Sequence, residues 1–459
     1  MLNLVTTKYG VVRGIPTDYG CVFKGIPYAK PPVGPLRFRA PQEPDSFEGI
    51  FEADRFCPRF MQKDHHDLWT KEFYSDPEFL RENSEDALYL NIWTPAGTPD
   101  EKLPVAFWIH GGAFLQGYNS EIEFDGEAYA RSGVILVTIN YRLGSFGFLY
   151  HPWLLEENGG VAGNYGILDQ IAALRWVRQN IAAFGGDPEN ITIMGQSAGA
   201  MSVQSLMTSP LTEGMFARAI LQSGGGLHSF AQLQLPAESI EASMRLVELT
   251  GVHSLEELRA LPAEKLLDKQ NILHEAADRE QKRLGFGPVL DGYVFRDTCD
   301  GLITDGRLRD LPYLLGSTSE DLAAKHPEVG ELNDSNVLAD RGILYNCCLD
   351  FAQAASRLGK RAPYVFYFSR QPLGDDAGAY HSAEIWYMFG TLGRSWRPKD
   401  DQDYDLSRRM VAYWTNFIKT GDVNDGGVNI TAGDKTAGSA LPRWEPCSAD
   451  SGWHVQELK

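Results

Sequence analysis

The sequence predicts an α/β architecture: a central, mostly parallel sheet flanked by helices. Three observations carry it. Runs such as "LPVAFWI", "VILVTI", "NITIM" and "YVFYF" have strand length, as strands covered on both faces have. Helical patterns alternate with them, the clearest placing Ile167, Ile171, Leu174, Val177 and Ile181 at helical spacing. A chain of 459 residues with 43% hydrophobic content is long and apolar enough for one large core.

The segments follow in order. "KYGVVRGI" and "CVFKGIPYA" read as small antiparallel strands. From Leu103 strands and helices alternate: "LPVAFWIHGG" ends in glycines, "VILVTINYRLG" follows, and the helix from Tyr165 stops at Gly185-Gly186. "NITIM" and "FARAILQSGG" supply the next strands. From about 228 to 285 the text turns helical and charged, a predicted excursion over the carboxyl ends of the strands that serves as lid or pocket wall. The sheet resumes with "LPYLLGSTSED" and "APYVFYFSRQ", and "YDLSRRMVAYWTNFIKTG" is a final helix. No repeat or linker divides the chain, so 1–459 is expected to be a single domain.

Charge and composition exclude several classes. A net charge of −19 argues against nucleic acid and anionic membrane as partners. No apolar run spans a bilayer, and "MLNLVTTKYG" lacks the pattern of a signal peptide. The six cysteines stand without CxxC spacing. A cytoplasmic protein with reduced thiols is the expectation.

"ITIMGQSAGAMS" holds the chemistry. The pattern G-x-S-x-G arises by chance about a quarter of a time in a chain of this composition. Context makes it specific, because a short strand precedes Ser197 and a small-residue helix pattern follows it. Gly195 and Gly199 let neighbouring segments crowd the turn, so Ser197 is expected in a strained conformation, its hydroxyl at the carboxyl end of the strand. Two backbone donors for an oxyanion are expected from "WIHGGAFLQG", the N–H groups of Gly112 and Ala113, and a third from Ala198.

A serine nucleophile on such a turn takes its acid and then its histidine later in the chain. Among the later histidines, His381 lies in a Gly-rich loop directly after "YVFYF", where a base belongs, whereas His326 and His454 read as surface residues. His274 opens "HEAAD", which lacks the second histidine of a zinc motif. The acid should follow "LLGSTS", where Glu320 and Asp321 are equally able to hold an imidazole.

Taken together, these segments resemble the type-B carboxylesterases, the cholinesterase/carboxylesterase branch of the α/β-hydrolase fold. The resemblance covers essentially the whole chain and is strongest from Phe23 to Gly226. "FKGIPYAKPPVGPLRF", "SEDALYLNIWTP" and "FGGDPENITIMGQSAG" are similar to family signatures, and "HGGAF" and "AYHSAEIWY" to its oxyanion and histidine segments. It implies Ser197 as nucleophile, His381 as base and Gly112, Ala113 and Ala198 as oxyanion donors. Laid on the family pattern G-x-T/N-x-D-E-G, "GSTSEDL" puts Asp321 at the glutamate position, with Glu320 as the alternative acid.

Three departures carry expectations. Ala87 stands where the family has a cysteine, so the usual disulfide to the position of Cys57 cannot form. Gln196 replaces a common glutamate before the nucleophile. A short interval from Asp321 to His381 implies a thinner wall and a more open pocket. Phe114, Trp386, Tyr387 and Phe389 are candidates for an acyl or aryl pocket. The implied activity is cleavage of a small-molecule carboxylic ester with no metal or organic cofactor. Feruloyl or aryl ester, carbamate and amide hydrolysis fit the same parts. A binding protein that keeps the fold without chemistry is disfavoured, because such relatives lose the serine or histidine.

Overall fold

The computed structural model of the protein describes residues 2–64, 68–229, 233–279, 285–321, 342–426 and 441–459. A ten-stranded sheet forms the centre. Its strands are β1 (Ile15–Thr17), β2 (Gly20–Pro27), β3 (Tyr89–Thr94), β4 (Leu103–Ile109), β5 (Ile135–Ile139), β6 (Gly186–Gln196), β7 (Arg218–Gln222), β8 (Tyr313–Thr318), β9 (Tyr364–Phe368) and β10 (Gln456–Leu458). Their order across the sheet is β10-β9-β8-β7-β6-β4-β5-β3-β2-β1. From β10 to β5 all neighbours are parallel, while β3, β2 and β1 add antiparallel pairs at one edge.

The helices follow the apolar periodicities. Those that matter for the site and its cover are α1 (Tyr165–Asn180), α2 (Ala198–Thr208), α3 (Pro236–Thr250), α4 (Leu255–Ala260), α5 (Ala263–Arg279), α6 (Ile343–Arg357), α7 (Ala383–Met388) and α8 (Asp401–Thr420). Ile167, Ile171, Leu174 and Val177 of α1 are fully buried in the core on one face of the sheet. Along β4 the side chains alternate, Val105, Phe107 and Ile109 into that core and Ala106 and Trp108 into a second one on the opposite face. Covered faces on both sides explain why these strands read as continuous apolar runs.

The order of the strands also positions a site. After β5, on one side of β4, the chain crosses to β6 on the other side. Such a reversal opens a crevice at the carboxyl ends of the two flanking strands. Gly195 of β6 pairs in register with Ile109 of β4, which brings Ser197 beside Gly111. The approach is tight: a methyl group on Gly111 would come within 3.2 Å of the Ser197 Cβ, and one on Gly199 within 2.1 Å of the Ile109 carbonyl oxygen. Gly199→Ala is therefore expected to destabilise the fold by about 1–3 kcal/mol, since only backbone movement can relieve that contact. Urea unfolding of the variant checks this.

Between β7 and β8 the described residues hold α3, α4 and α5, which pack toward the segment after β5. The Ser243 hydroxyl accepts from the Tyr150 amide at 2.9 Å, and the Gln270 side chain accepts from Ser145 at 2.6 Å. Among the described residues no helix is long and apolar enough to cross a membrane. All six cysteine thiols are buried, and Cys57 Sγ lies 3.4 Å from the Asn140 side-chain amide.

Candidate active site

Ser197 directly follows β6 and stands at the N-cap of α2. Its φ of 55° and ψ of −126° are strained for a residue with a side chain. Its amide donates to the Gln222 carbonyl at 2.9 Å and its carbonyl accepts from Met201, so the strand and helix on either side hold the turn. A cavity of about 270 Å³ opens here, and Ser197, His381, Gly111, Gly112 and Ala113 all line it.

The loop after β4 is built to present its amides. Gly112 has φ 99°, and Ala113 and Phe114 have φ of 57° and 62°. The Gly112 carbonyl accepts from Leu115 and Gln116, closing the turn, and Gln62 clamps Gly117 through both its N–H (2.9 Å) and its C=O (3.0 Å). Among the described residues the N–H groups of Gly112, Ala113 and Ala198 have no internal acceptor. Beneath the loop, His110 stacks on Tyr141 with ring centroids 4.5 Å apart, and its Nδ1 lies 2.9 Å from the Gly111 carbonyl. Burial holds its pKa down to about 4, so the ring is neutral and serves as a brace.

The pairing of β8 with β9 extends past their ends. Ser319 donates to Phe368 and Glu320 to Ala379, and Glu320 bridges Tyr380. One residue further on each side, this zipper sets Asp321 opposite His381. The Asp321 carboxylate contacts His381 Nδ1, and its other oxygen accepts from the Thr318 amide at 3.2 Å. Asp321, the acid the resemblance favours, reaches the imidazole, while the alternative Glu320 packs over Gly378.

The other ring nitrogen, Nε2, lies 3.2 Å from the Gln196 amide nitrogen. With the Nδ1 proton directed at Asp321, Nε2 accepts from that amide. Burial works against the charged imidazole, but the Asp321 charge and hydrogen bond, with the Glu384 charge, outweigh it and raise the pKa. Glu384 is itself pushed up to about 7 by burial and by Asp321, and it is tied to Gln222 at 3.1 Å. Nothing in the sequence marks Glu384, which simply reads as part of a short helix.

The pH dependence follows with a definite sign. The sequence makes His381 the expected base, and a base must be neutral to act, so kcat/KM should fall as pH drops through its folded pKa, above the ordinary value of about 6.5. The same shift stabilises the fold fully below pH 6.5, and that contribution is lost as pH rises through the folded pKa. A pH profile of kcat/KM checks the first statement, and thermal midpoints between pH 6 and 9 check the second.

Phe114, Trp386 and Tyr387 are corrected as pocket residues, since none of them lines this cavity. Phe114 packs on Phe148, Trp386 stacks on Phe73 with centroids 5.7 Å apart, and Tyr387 turns its hydroxyl to Asp403 at 2.6 Å. Phe389 lies in the core against Trp108. The apolar wall is made by Phe73, Tyr74, Phe124 and Ile385, and no described residue of the helical excursion contributes. Of the interval between Asp321 and His381 that is expected to be thinned, residues 322–341, His326 among them, lie outside the described residues. Among the described residues no three His, Cys, Asp or Glu side chains converge as metal ligands do.

Comparison with known proteins agrees over the whole chain. The model of the carboxylesterase family matches residues 2–336 and 333–457. The chain is 33% identical to para-nitrobenzyl esterase of Bacillus subtilis (strain 168), over 94% of its own length and 92% of that protein's. It is 32% identical to carboxylesterase 4A of Bos taurus, over 92% and 88% of the two lengths. A solved thermophilic para-nitrobenzyl esterase superposes with a TM-score of 0.84 at 31% identity, covering all of this chain and 96% of the other.

Proposed function

The chain belongs to the carboxylesterase family and is a carboxylic ester hydrolase of the α/β-hydrolase fold; from that premise we propose that it works through an acyl-enzyme on Ser197, with His381 as base and Asp321 orienting it. One observation carries the reading. Ser197, on a strained turn, shares a cavity with His381, whose far nitrogen is held by the buried Asp321 carboxylate.

His381 Nε2 takes the Ser197 proton as Oγ attacks the ester carbonyl. To do so it exchanges the Gln196 amide for the hydroxyl, and the neutral amide gives way more readily than a charged partner would. The carbonyl oxygen becomes an oxyanion held by the N–H groups of Gly112, Ala113 and Ala198, each worth about 3 kcal/mol of barrier. His381 then protonates the departing alcohol. Water, activated by the same imidazole, releases the acid and restores Ser197. Asp321 stays ionised throughout and stabilises the imidazolium.

The test is turnover of p-nitrophenyl esters from acetate to decanoate together with labelling by a fluorophosphonate probe. Turnover and a single phosphonylated site at Ser197 are expected. Absence of both would sink the reading.

A further inference from the structure

We propose that a second cavity, behind the wall of the catalytic one, binds an organic carboxylate with a flat apolar body. The site does not depend on the esterase reading above. The cavity measures about 390 Å³. Segment 120–125 lies between the two: Glu121 and Glu123 line the catalytic cavity, Ser120 and Asp125 the second, and Phe124 both. Three cations stand in the wall of the second cavity, Lys24 of β2 with Arg81 and Arg394. In a chain of net charge −19 such a concentration of positive charge asks for a reason.

Only one of the three has a counter-charge. Arg394 is engaged by Asp125 and by the Ile122 carbonyl at 3.1 Å. Lys24 and Arg81 make no ion pair among the described residues. They share the Phe56 ring instead, the ammonium 4.4 Å and the guanidinium 5.2 Å from its centre. Arg81 Nη1 donates to the Glu78 and Leu80 carbonyls at 2.8 and 2.9 Å, which fixes the guanidinium in the wall. Both side chains are half-buried, so water solvates these charges only in part. Burial presses the Lys24 pKa down, and Arg81 and Arg394 press it further, against the pull of Asp125 and Asp54. Of the acids in the wall, Asp125 is taken by Arg394 and Glu78 is exposed. A carboxylate beside Lys24 and Arg81 supplies the missing negative charge and accepts from both. The rest of the wall selects the body it is attached to: Val22, Phe79, Trp93 and Phe124 offer apolar and aromatic faces that a bare inorganic anion would leave uncovered.

The experiment titrates 2-naphthoate, its neutral counterpart 2-naphthamide and inorganic phosphate into the full chain, read by calorimetry. The same titrations are run on Lys24→Gln, Arg81→Gln and the double variant, with circular dichroism to check folding. Naphthoate is expected to bind at least about tenfold more tightly than either naphthamide or phosphate, and to lose about tenfold in the double variant. If the double variant does not fold, each single variant is expected to show a loss of about threefold. Naphthoate binding no tighter than naphthamide overturns the anion site, and phosphate binding as tightly overturns the organic class of its ligand. Naphthoate affinity unchanged in the folded variants places the ligand elsewhere, the catalytic cavity included, and overturns the proposal while leaving the esterase reading untouched.

Discussion

Ser197→Ala is expected to lower kcat toward p-nitrophenyl butanoate by about 10⁴–10⁶-fold while the protein stays folded. Alanine removes the oxygen that forms the acyl-enzyme, and the oxyanion amides that remain sustain only slow attack by water. Stability should barely change, because any residue with a Cβ bears the same strain at φ 55°. The activity loss then reports chemistry rather than folding. Ser197→Gly separates the two further: it removes the strain and should stabilise the protein by about 1 kcal/mol, yet be equally inactive. Retention of more than a hundredth of wild-type kcat in well-folded Ser197→Ala would assign the nucleophile elsewhere.

Much of this site was legible because its signals are local. A strand, a crowded Gly-x-Ser-x-Gly turn and a helix are contiguous from Asn190 to Thr208, so the residues that make the turn also announce it. His381 and the Gly112–Ala113 loop were found in the same way, as loops closing strands with strong apolar patterns. What escaped depends on which side of an element faces inward. Trp386 and Tyr387 sit on a six-residue helix, too short for periodicity to show that both face the core while Ile385 meets the cavity. "NSEIEFDG" reads as an ordinary polar loop, yet Glu121 and Glu123 are buried, and they share the cavity wall with Phe73 and Tyr74. Chain order brought Glu320 and Asp321 to the right strand end but could not choose between neighbours of the same chemistry. The family pattern favours Asp321, and sheet register is what sets its carboxylate against the imidazole.

Asp321→Asn should therefore cost about 10⁴-fold in kcat, and Glu320→Gln less than about threefold. An asparagine fits the space but carries no charge, and its amide hydrogens favour the imidazole tautomer with the proton on Nε2, where the base cannot accept from Ser197. The acid limb of the pH profile should move down in this variant, because the Asp321 charge is the leading influence that raises the His381 pKa against burial. A merely structural loss would lower the rate without moving that limb. Glu320 has a different task. Its backbone N–H holds the Ala379 carbonyl at 3.1 Å and its side chain covers Gly378, so the charge is dispensable while the loop is not. Asp321→Glu sharpens the point: one extra methylene beside a zipper that fixes both loops must displace the imidazole, and a shift of about 1 Å is worth about 10²-fold. If Glu320→Gln were instead the crippled variant and Asp321→Asn the mild one, the loops would have to re-register in the working enzyme, and Glu320 would be its acid.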